Sequence, residues 1–201
     1  MVNLAIFDYG AGNIFSLKNS LEKAGATVDV ITNFDKPNIY SGLLLPGVGN
    51  FDPAIKSISK SKINFHEYVK DNTPVLGICL GMEMFFEKSE EGNEKGLGVI
   101  EGDVIVLPQS MKVPHMGWNN LEIKKSGKIL EGVKNESWVY FVHSYRVNPI
   151  NYDAITAESD YGIKVPAVIE QDNFFGTQFH PEKSGNVGKI MIQNFLNVCK
   201  K

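Results

Sequence analysis

The feature that most constrains this chain is a series of short apolar runs at residues 4–7, 43–45 and 75–79, separated by helical patterns. Each run stops at a turn signal: Asp8-Tyr9-Gly10, Pro46-Gly47, and Leu80-Gly81 after Cys79. A run this short, with no polar side to show to water, fits a strand buried on both faces of a sheet. Residues 27–31 alternate and read as another strand. Between the first two strands, Asn13 can cap a helix whose apolar positions Ile14, Leu17, Leu21 and Ala24 recur at helical spacing, with Gly25 just past its end. Residues 52–70 read as helical with a break near 59–62, and residues 80–88 as the helix that follows Cys79.

This β-α-β-α order predicts an α/β fold of three layers, α/β/α, around a mostly parallel central sheet. The second half is richer in strands, at 99–106, 138–142, 153–157, 165–170 and 174–179, which adds an antiparallel portion. A last amphipathic helix carries Val187, Ile190, Met191, Asn194 or Phe195, and Val198 on one side. Ligands of such sheets bind beyond the carboxyl ends of the strands. Pro46-Gly47-Val48-Gly49 and Cys79 both stand at such ends.

The 201 residues are 43% hydrophobic and contain no repeat or long linker, so one domain spanning 1–201 is expected. A formal net charge of −3, with basic residues spread out, gives no general reason to seek nucleic acid or an anionic membrane. The N-terminus meets Asp8 too soon for a signal peptide, and no apolar run reaches the length of a membrane span. The cytoplasm is the expected compartment, with Cys79 a thiol rather than half of a disulfide with Cys199.

Gly77-Ile78-Cys79-Leu80-Gly81 has the Gly-x-nucleophile-x-Gly form of a nucleophile elbow. The glycines make room in a tight strand-to-helix turn. The thiol projects at the top of the sheet, the Leu80 N–H is free for an oxyanion, and the helix N-terminus favours the thiolate. A buried structural cysteine is the competing account. Phe179-His180-Pro181-Glu182 offers a base and its orienter, since residues two apart in an extended segment point the same way. The alternative is a loop histidine before a helix. Pro46-Gly47-Val48-Gly49-Asn50 can present backbone N–H groups at Gly47 or Val48 to an oxyanion, or be a plain turn. It lacks the Gly-Lys-Ser/Thr of a phosphate loop. The Gly-x-Gly of Gly10-Ala11-Gly12 has no third glycine at the dinucleotide spacing.

Taken together, in this order and spacing, these three motifs resemble the class I, triad-type glutamine amidotransferases. Four stretches are similar to the glutaminase subunits of imidazole glycerol phosphate synthase, a resemblance that runs over essentially the full chain. They are Asp8-Tyr9-Gly10-Ala11-Gly12-Asn13, Val113-Pro114-His115-Met116-Gly117-Trp118-Asn119, Tyr140-Phe141-Val142-His143-Ser144-Tyr145 and Gln178-Phe179-His180-Pro181-Glu182-Lys183-Ser184. The resemblance implies hydrolysis of L-glutamine to glutamate and ammonia, without metal or cofactor. It also implies a heterodimer with a HisF-like (β/α)8-barrel cyclase subunit that uses the ammonia in histidine biosynthesis. Paralogous glutaminases feed a different synthase, such as one amidinating a cell-surface sugar, and the same motifs fit them.

By the same resemblance, Cys79 attacks, His180 is its base and Glu182 orients His180. Leu80, with Gly47 or Val48, supplies the oxyanion N–H groups. Gly49, Glu83, Ser144 and Tyr145 hold the substrate, and Asn13, Trp118, Tyr145 and Lys183 face the partner. His115 and His143 belong to the motifs but not to the triad and read as structural. Glu83 departs from the glutamine most often found at its position. A carboxylate there can accept from the substrate's α-ammonium group but cannot donate to its carboxylate.

Overall fold

The computed structural model describes residues 2–10, 13–35, 39–61, 63–69 and 72–200. Ala11 and Gly12 of the first turn, and Lys62 and Lys70 of the expected 52–70 helix, lie outside the described residues. In chain order the first elements are β1 (Val2–Phe7), α1 (Ile14–Lys23), β2 (Ala26–Ile31), β3 (Gly42–Leu45), α2 (Phe51–Ser59), α3 (Phe65–Tyr68), β4 (Val75–Ile78) and α4 (Leu80–Glu83). Then come β5 (Lys88–Ser89), β6 (Gly102–Val106), β7 (His115–Asn120), β8 (Glu122–Ile123), β9 (Trp138–His143) and β10 (Tyr145–Pro149). The chain ends with β11 (Ile155–Asp160), β12 (Lys164–Gln171), β13 (Phe174–Thr177) and α5 (Gly185–Cys199). A 3-10 turn, Pro181–Lys183, joins the last two.

The central sheet runs β2-β1-β3-β4-β13-β12-β11-β8. The strands from β2 to β13 are parallel, and β12, β11 and β8 add antiparallel pairs at one edge. Alternation along the buried strands sorts side chains between two cores. Leu4 and Ile6 of β1 pack with Leu17 and Leu21 of α1 and with Met191, Ile192 and Phe195 of α5. Ala5 and Phe7 of β1 pack with Phe51, Ile55 and Ile58 of α2, Phe65 of α3 and Leu80 of α4. Helices on both faces of one sheet make the expected three layers, with an antiparallel portion. Two smaller sheets, β10-β6-β5 and β7-β9, complete the fold. Among the described residues no helix is long and apolar enough to cross a membrane.

Local departures from the sequence reading have physical causes. The helix after Cys79 is a single turn, α4, rather than 80–88: the Phe85 and Phe86 N–H groups donate only three residues back, to the Met82 and Glu83 carbonyls, and Met84, Phe85 and Phe86 are fully buried. The buried side of α5 is Gly188, Met191, Ile192, Phe195, Leu196 and Cys199, so Ile190 faces out. Gly188 sets that rotation: a Cβ there would lie 1.9 Å from the Pro181 carbonyl oxygen. Among the described residues no disulfide forms, and both cysteines are buried.

Candidate active site

The carboxyl ends of β3, β4 and β13 meet at one point, and backbone packing makes the meeting possible. A Cβ on Gly47 would lie 1.8 Å from the Ile78 carbonyl oxygen, and one on Gly81 1.9 Å from that of Leu45. One on Gly77 would fall 2.6 Å from the Gly81 backbone. Only glycine lets the turn after β3 and the turn after β4 touch. Between them Cys79 takes φ 50° and ψ −108°. Such a conformation in a non-glycine residue costs roughly 1–3 kcal/mol and persists where the surroundings hold it. Here the Cys79 N–H donates to the Thr177 carbonyl at 2.6 Å, and the Cys79 carbonyl accepts from Met82 and Glu83 N–H at 2.9 and 3.0 Å.

The thiol is only 6% exposed. Burial pushes it well above the usual thiol range and the neighbouring Glu83 pushes the same way, while the Leu80 N–H and the Gln178 amide pull it down. The resting group is therefore the thiol, with Sγ 3.8 Å from the Val142 carbonyl oxygen. Of the expected help from a helix N-terminus the Leu80 N–H remains, while the single turn of α4 adds little macrodipole.

β13 lies beside β4 with Thr177 opposite Ile78, so the segment leaving β13 passes the thiol. Gln178 donates from Nε2 to Cys79 Sγ at 3.6 Å and to Glu83 Oε1 at 3.2 Å. Two residues on, His180 Nδ1 meets Glu182 Oε1 at 2.9 Å. The carboxylate accepts, so Nδ1 carries the hydrogen and the lone pair falls on Nε2, which is buried and has no partner. The His180 backbone is clamped: its N–H donates to the Tyr140 carbonyl at 3.0 Å, and its carbonyl accepts from Ser184 Oγ at 2.7 Å. An imidazole held by a carboxylate, with its other nitrogen unpartnered, can take a thiol proton and return it to a leaving group, and the charge of Glu182 already reaches Cys79.

A cavity of about 300 Å³ opens over Cys79. Gly47, Val48, Gly49, Leu80, Glu83, Ser144 and Tyr145, all expected in the site, line it with Cys79. His180 and Glu182 are buried beside it without lining it. Glu91, Pro114, Val142 and His143 also line it and were not foreseen. Burial raises Glu83 to about 8, with the Gln178 amide lowering it and Glu91 raising it. Glu91 accepts from the Phe51 N–H at 3.0 Å and is itself raised by burial. Tyr9, from the first turn, has a buried hydroxyl with no partner, raised by burial and then by Cys79 and Glu83. Nothing in the acidic stretch 87–94 singled out Glu91. Gln178 was legible in principle, because alternation in an extended segment puts it on the side of His180; Glu182 instead reaches the ring from the 3-10 turn Pro181–Lys183.

The residues expected at a partner face lie elsewhere. Trp118 is 53% exposed and meets Tyr140 edge-on, ring centres 5.9 Å apart. Lys183 Nζ stands 5.9 Å from the Tyr140 ring centre. The β7–β9 register puts Met116 and Trp138, 62% and 58% exposed, on that same side of the ribbon. Asn13 is exposed and caps α1, accepting from the Ser16 N–H at 3.2 Å. Tyr145 belongs to the cavity wall rather than to this cluster. Among the described residues no group of three or more His, Cys, Asp or Glu is placed to hold a metal ion.

Comparison with known proteins agrees with this geometry. The family profile described as Glutamine amidotransferase class-I matches residues 5–199. Imidazole glycerol phosphate synthase subunit HisH of Methanocaldococcus jannaschii is 44% identical over 196 residues, covering 97% of this chain and 99% of the relative. The protein of the same name from Archaeoglobus fulgidus is also 44% identical, covering 98% and 100%. Among solved structures, a putative GMP synthase protein from Thermoplasma acidophilum superposes with a TM-score of 0.75 at 21% identity, covering 99% of this chain and 94% of that one. PurLQS from Thermotoga maritima gives 0.76 at 18%, covering 98% and 99%. At such identities the structures speak for the fold; the sequence matches carry the family, and the chain belongs to the class-I glutamine amidotransferases.

Proposed function

We propose that residues 1–201 form one amidotransferase domain, the glutaminase subunit of an imidazole glycerol phosphate synthase. Supporting it are the His180–Glu182 pair at 2.9 Å with Nε2 unpartnered, the charge of Glu182 that reaches Cys79, and a strained Cys79 at the floor of an open cavity. His180 Nε2 takes the thiol proton as Sγ attacks the side-chain amide carbon of L-glutamine. The Leu80 N–H and an N–H at Gly47 or Val48 receive the oxyanion. The imidazolium returns its proton to the leaving nitrogen, releasing ammonia and leaving a thioester. Water, deprotonated by His180, then releases glutamate and restores the thiol.

Glu83 and Glu91 give the cavity two carboxyl groups for the substrate's α-ammonium, and Ser144 and Tyr145 flank it. Ammonia then passes to a (β/α)8-barrel cyclase that docks over Trp118, Lys183 and Asn13, in the cytoplasm. The histidine-pathway assignment over a paralogous synthase rests on the relatives named above.

The test combines the chain with a histidine-pathway cyclase and its ribonucleotide substrate. Glutamine-dependent formation of imidazole glycerol phosphate is expected, with glutamine hydrolysis slower in the isolated chain. C79A abolishes the glutamine-dependent reaction, by at least about 10⁴-fold, while the reaction from added ammonium salt persists. No product with the wild-type chain counts against the histidine-pathway reading. Loss of both reactions in C79A counts against the division of labour.

A further inference from the structure

The paired histidines His115 and His143 form something more directed than a packing contact. They face each other across the β7–β9 ribbon. His143 Nδ1 lies 2.7 Å from the Tyr145 carbonyl oxygen, which only accepts, so that nitrogen carries the hydrogen. The His143 lone pair then sits on Nε2, 2.9 Å from His115 Nδ1, which must donate. The His115 lone pair falls in turn on Nε2, 3.3 Å from the Asn119 amide nitrogen. That nitrogen also donates to the Asp160 carbonyl at 2.9 Å. Within the chain from Asn119 to Tyr145 every hydrogen points the same way.

Only a doubly neutral pair permits this order, because a proton on either facing lone pair sets two N–H donors head to head. Burial keeps both rings neutral, holding His115 to about 4 and His143 to about 3. One end of the chain is the cavity wall, where His143, Ser144 and Tyr145 stand, and where the Val142 carbonyl oxygen lies 3.8 Å from the thiol sulfur. The other end is Asn119, next to the exposed Trp118. The His115 ring stacks on Phe141 at 4.6 Å and on Tyr161 at 3.9 Å. A phenyl ring would meet the same two stacking partners, so stacking alone does not call for an imidazole.

We propose that His115 and His143 are positioning residues whose directed hydrogen-bond chain fixes the 142–145 wall of the glutamine cavity and ties it to β7. The proposal rests on the glutaminase reading above. Two variants separate hydrogen bonding from packing. H115F keeps the stacked ring and loses the donor. H115N offers an amide nitrogen where Nδ1 stood and loses the ring. In the assembled enzyme, H115F is expected to raise the glutamine KM about tenfold, with kcat within about threefold, because the 142–145 wall holds substrate rather than supplying the base or the oxyanion donors. H115N is expected to keep KM within about threefold of wild type even where its melting temperature falls. A KM unmoved by H115F, or moved equally by both variants, overturns the proposal.

A second readout is independent of turnover. H115F is expected to shift the backbone amide resonances of residues 142–145, and the ring nitrogens of His143, more than H115N does. Equal shifts overturn the relay. Absence of glutamine hydrolysis by the wild-type assembly would instead overturn the functional reading, and the resonances then decide the relay alone.

Discussion

The floor of the cavity and the outer side of the β7–β9 ribbon are built by opposite means. At the floor, backbone touches backbone: Gly47 lies against Ile78 and Gly81 against Leu45, with no room for a single Cβ. On the ribbon, large side chains project with more than half their surface exposed: Met116, Trp118 and Trp138. A site made from main-chain contacts holds its reacting atoms through the sheet itself and tolerates almost no substitution. A face made from exposed aromatic and apolar side chains can be altered without disturbing the fold, which suits a surface that recognises another protein.

Substitutions on the two sides should therefore fail differently. Of the three substitutions that probe this comparison, G47A is expected to have the largest effect. Its added Cβ must push the Ile78 carbonyl away and displace Cys79, whose own Cβ would lie 2.9 Å from it. A shift of about 1 Å at reacting groups can cost about 100-fold, so glutaminase activity should fall at least that far. Overpacking should also lower the melting temperature by roughly 2–12 °C. Near-wild-type activity in G47A would break the account of a backbone-built site.

W118A comes next. On the proposed docking reading it weakens association with the cyclase by about 2 kcal/mol, roughly thirtyfold. Its stability should stay within about 0.5 kcal/mol of wild type. Titration of the labelled cyclase measures the first and thermal melting the second. Unchanged affinity would remove Trp118 from the partner face.

The smallest effect sharpens the floor itself. Glu83 ionises at about 8 in the folded protein, against a model-compound value of 4.5. Its contribution to stability is complete below 4.5. It is lost as pH rises through 8, because over that interval the unfolded chain sheds a proton that the folded chain retains. E83Q should flatten this slope in denaturant titrations run across the interval. The ionised carboxylate is also the form that attracts the substrate's ammonium group, so glutamine KM should fall a few-fold between about pH 7 and 9 in wild type. A KM with the same pH profile in E83Q would show the substitution to be neutral.

Much of this architecture could be read from the sequence, and the parts that could not share a cause. β1, β3 and β4 were legible because they are buried on both sides and show only apolar residues. The elbow was legible because a tight turn around a nucleophile demands small neighbours, and Gly77 and Gly81 supply them. β7 escaped because it inverts the usual rule. His115 is its buried residue while Met116 and Trp118 are exposed, so the pattern did not look like a strand against a core. The end of α4 escaped because residues 80–86 are all buried, leaving no polar face to mark where the helix stops. Glu91 reaches the cavity through the loop between β5 and β6, a tertiary placement that no local spacing records. The motifs singled out Cys79, His180 and Glu182, and only the fold supplied the environment around them.

The raised thiol at Cys79 has a consequence for oxidative chemistry. Peroxides and alkylating agents react with thiolates, and a buried cysteine held in its protonated form offers them little. The resting protein should therefore survive conditions that oxidise ordinary low-pKa active-site cysteines to sulfenic acid. On the proposed mechanism its vulnerable moment is the one at which His180 has drawn off the proton, so that the same event that arms the enzyme also exposes it to damage. Bound glutamine would then be both the trigger and, by occupying the cavity, the shield.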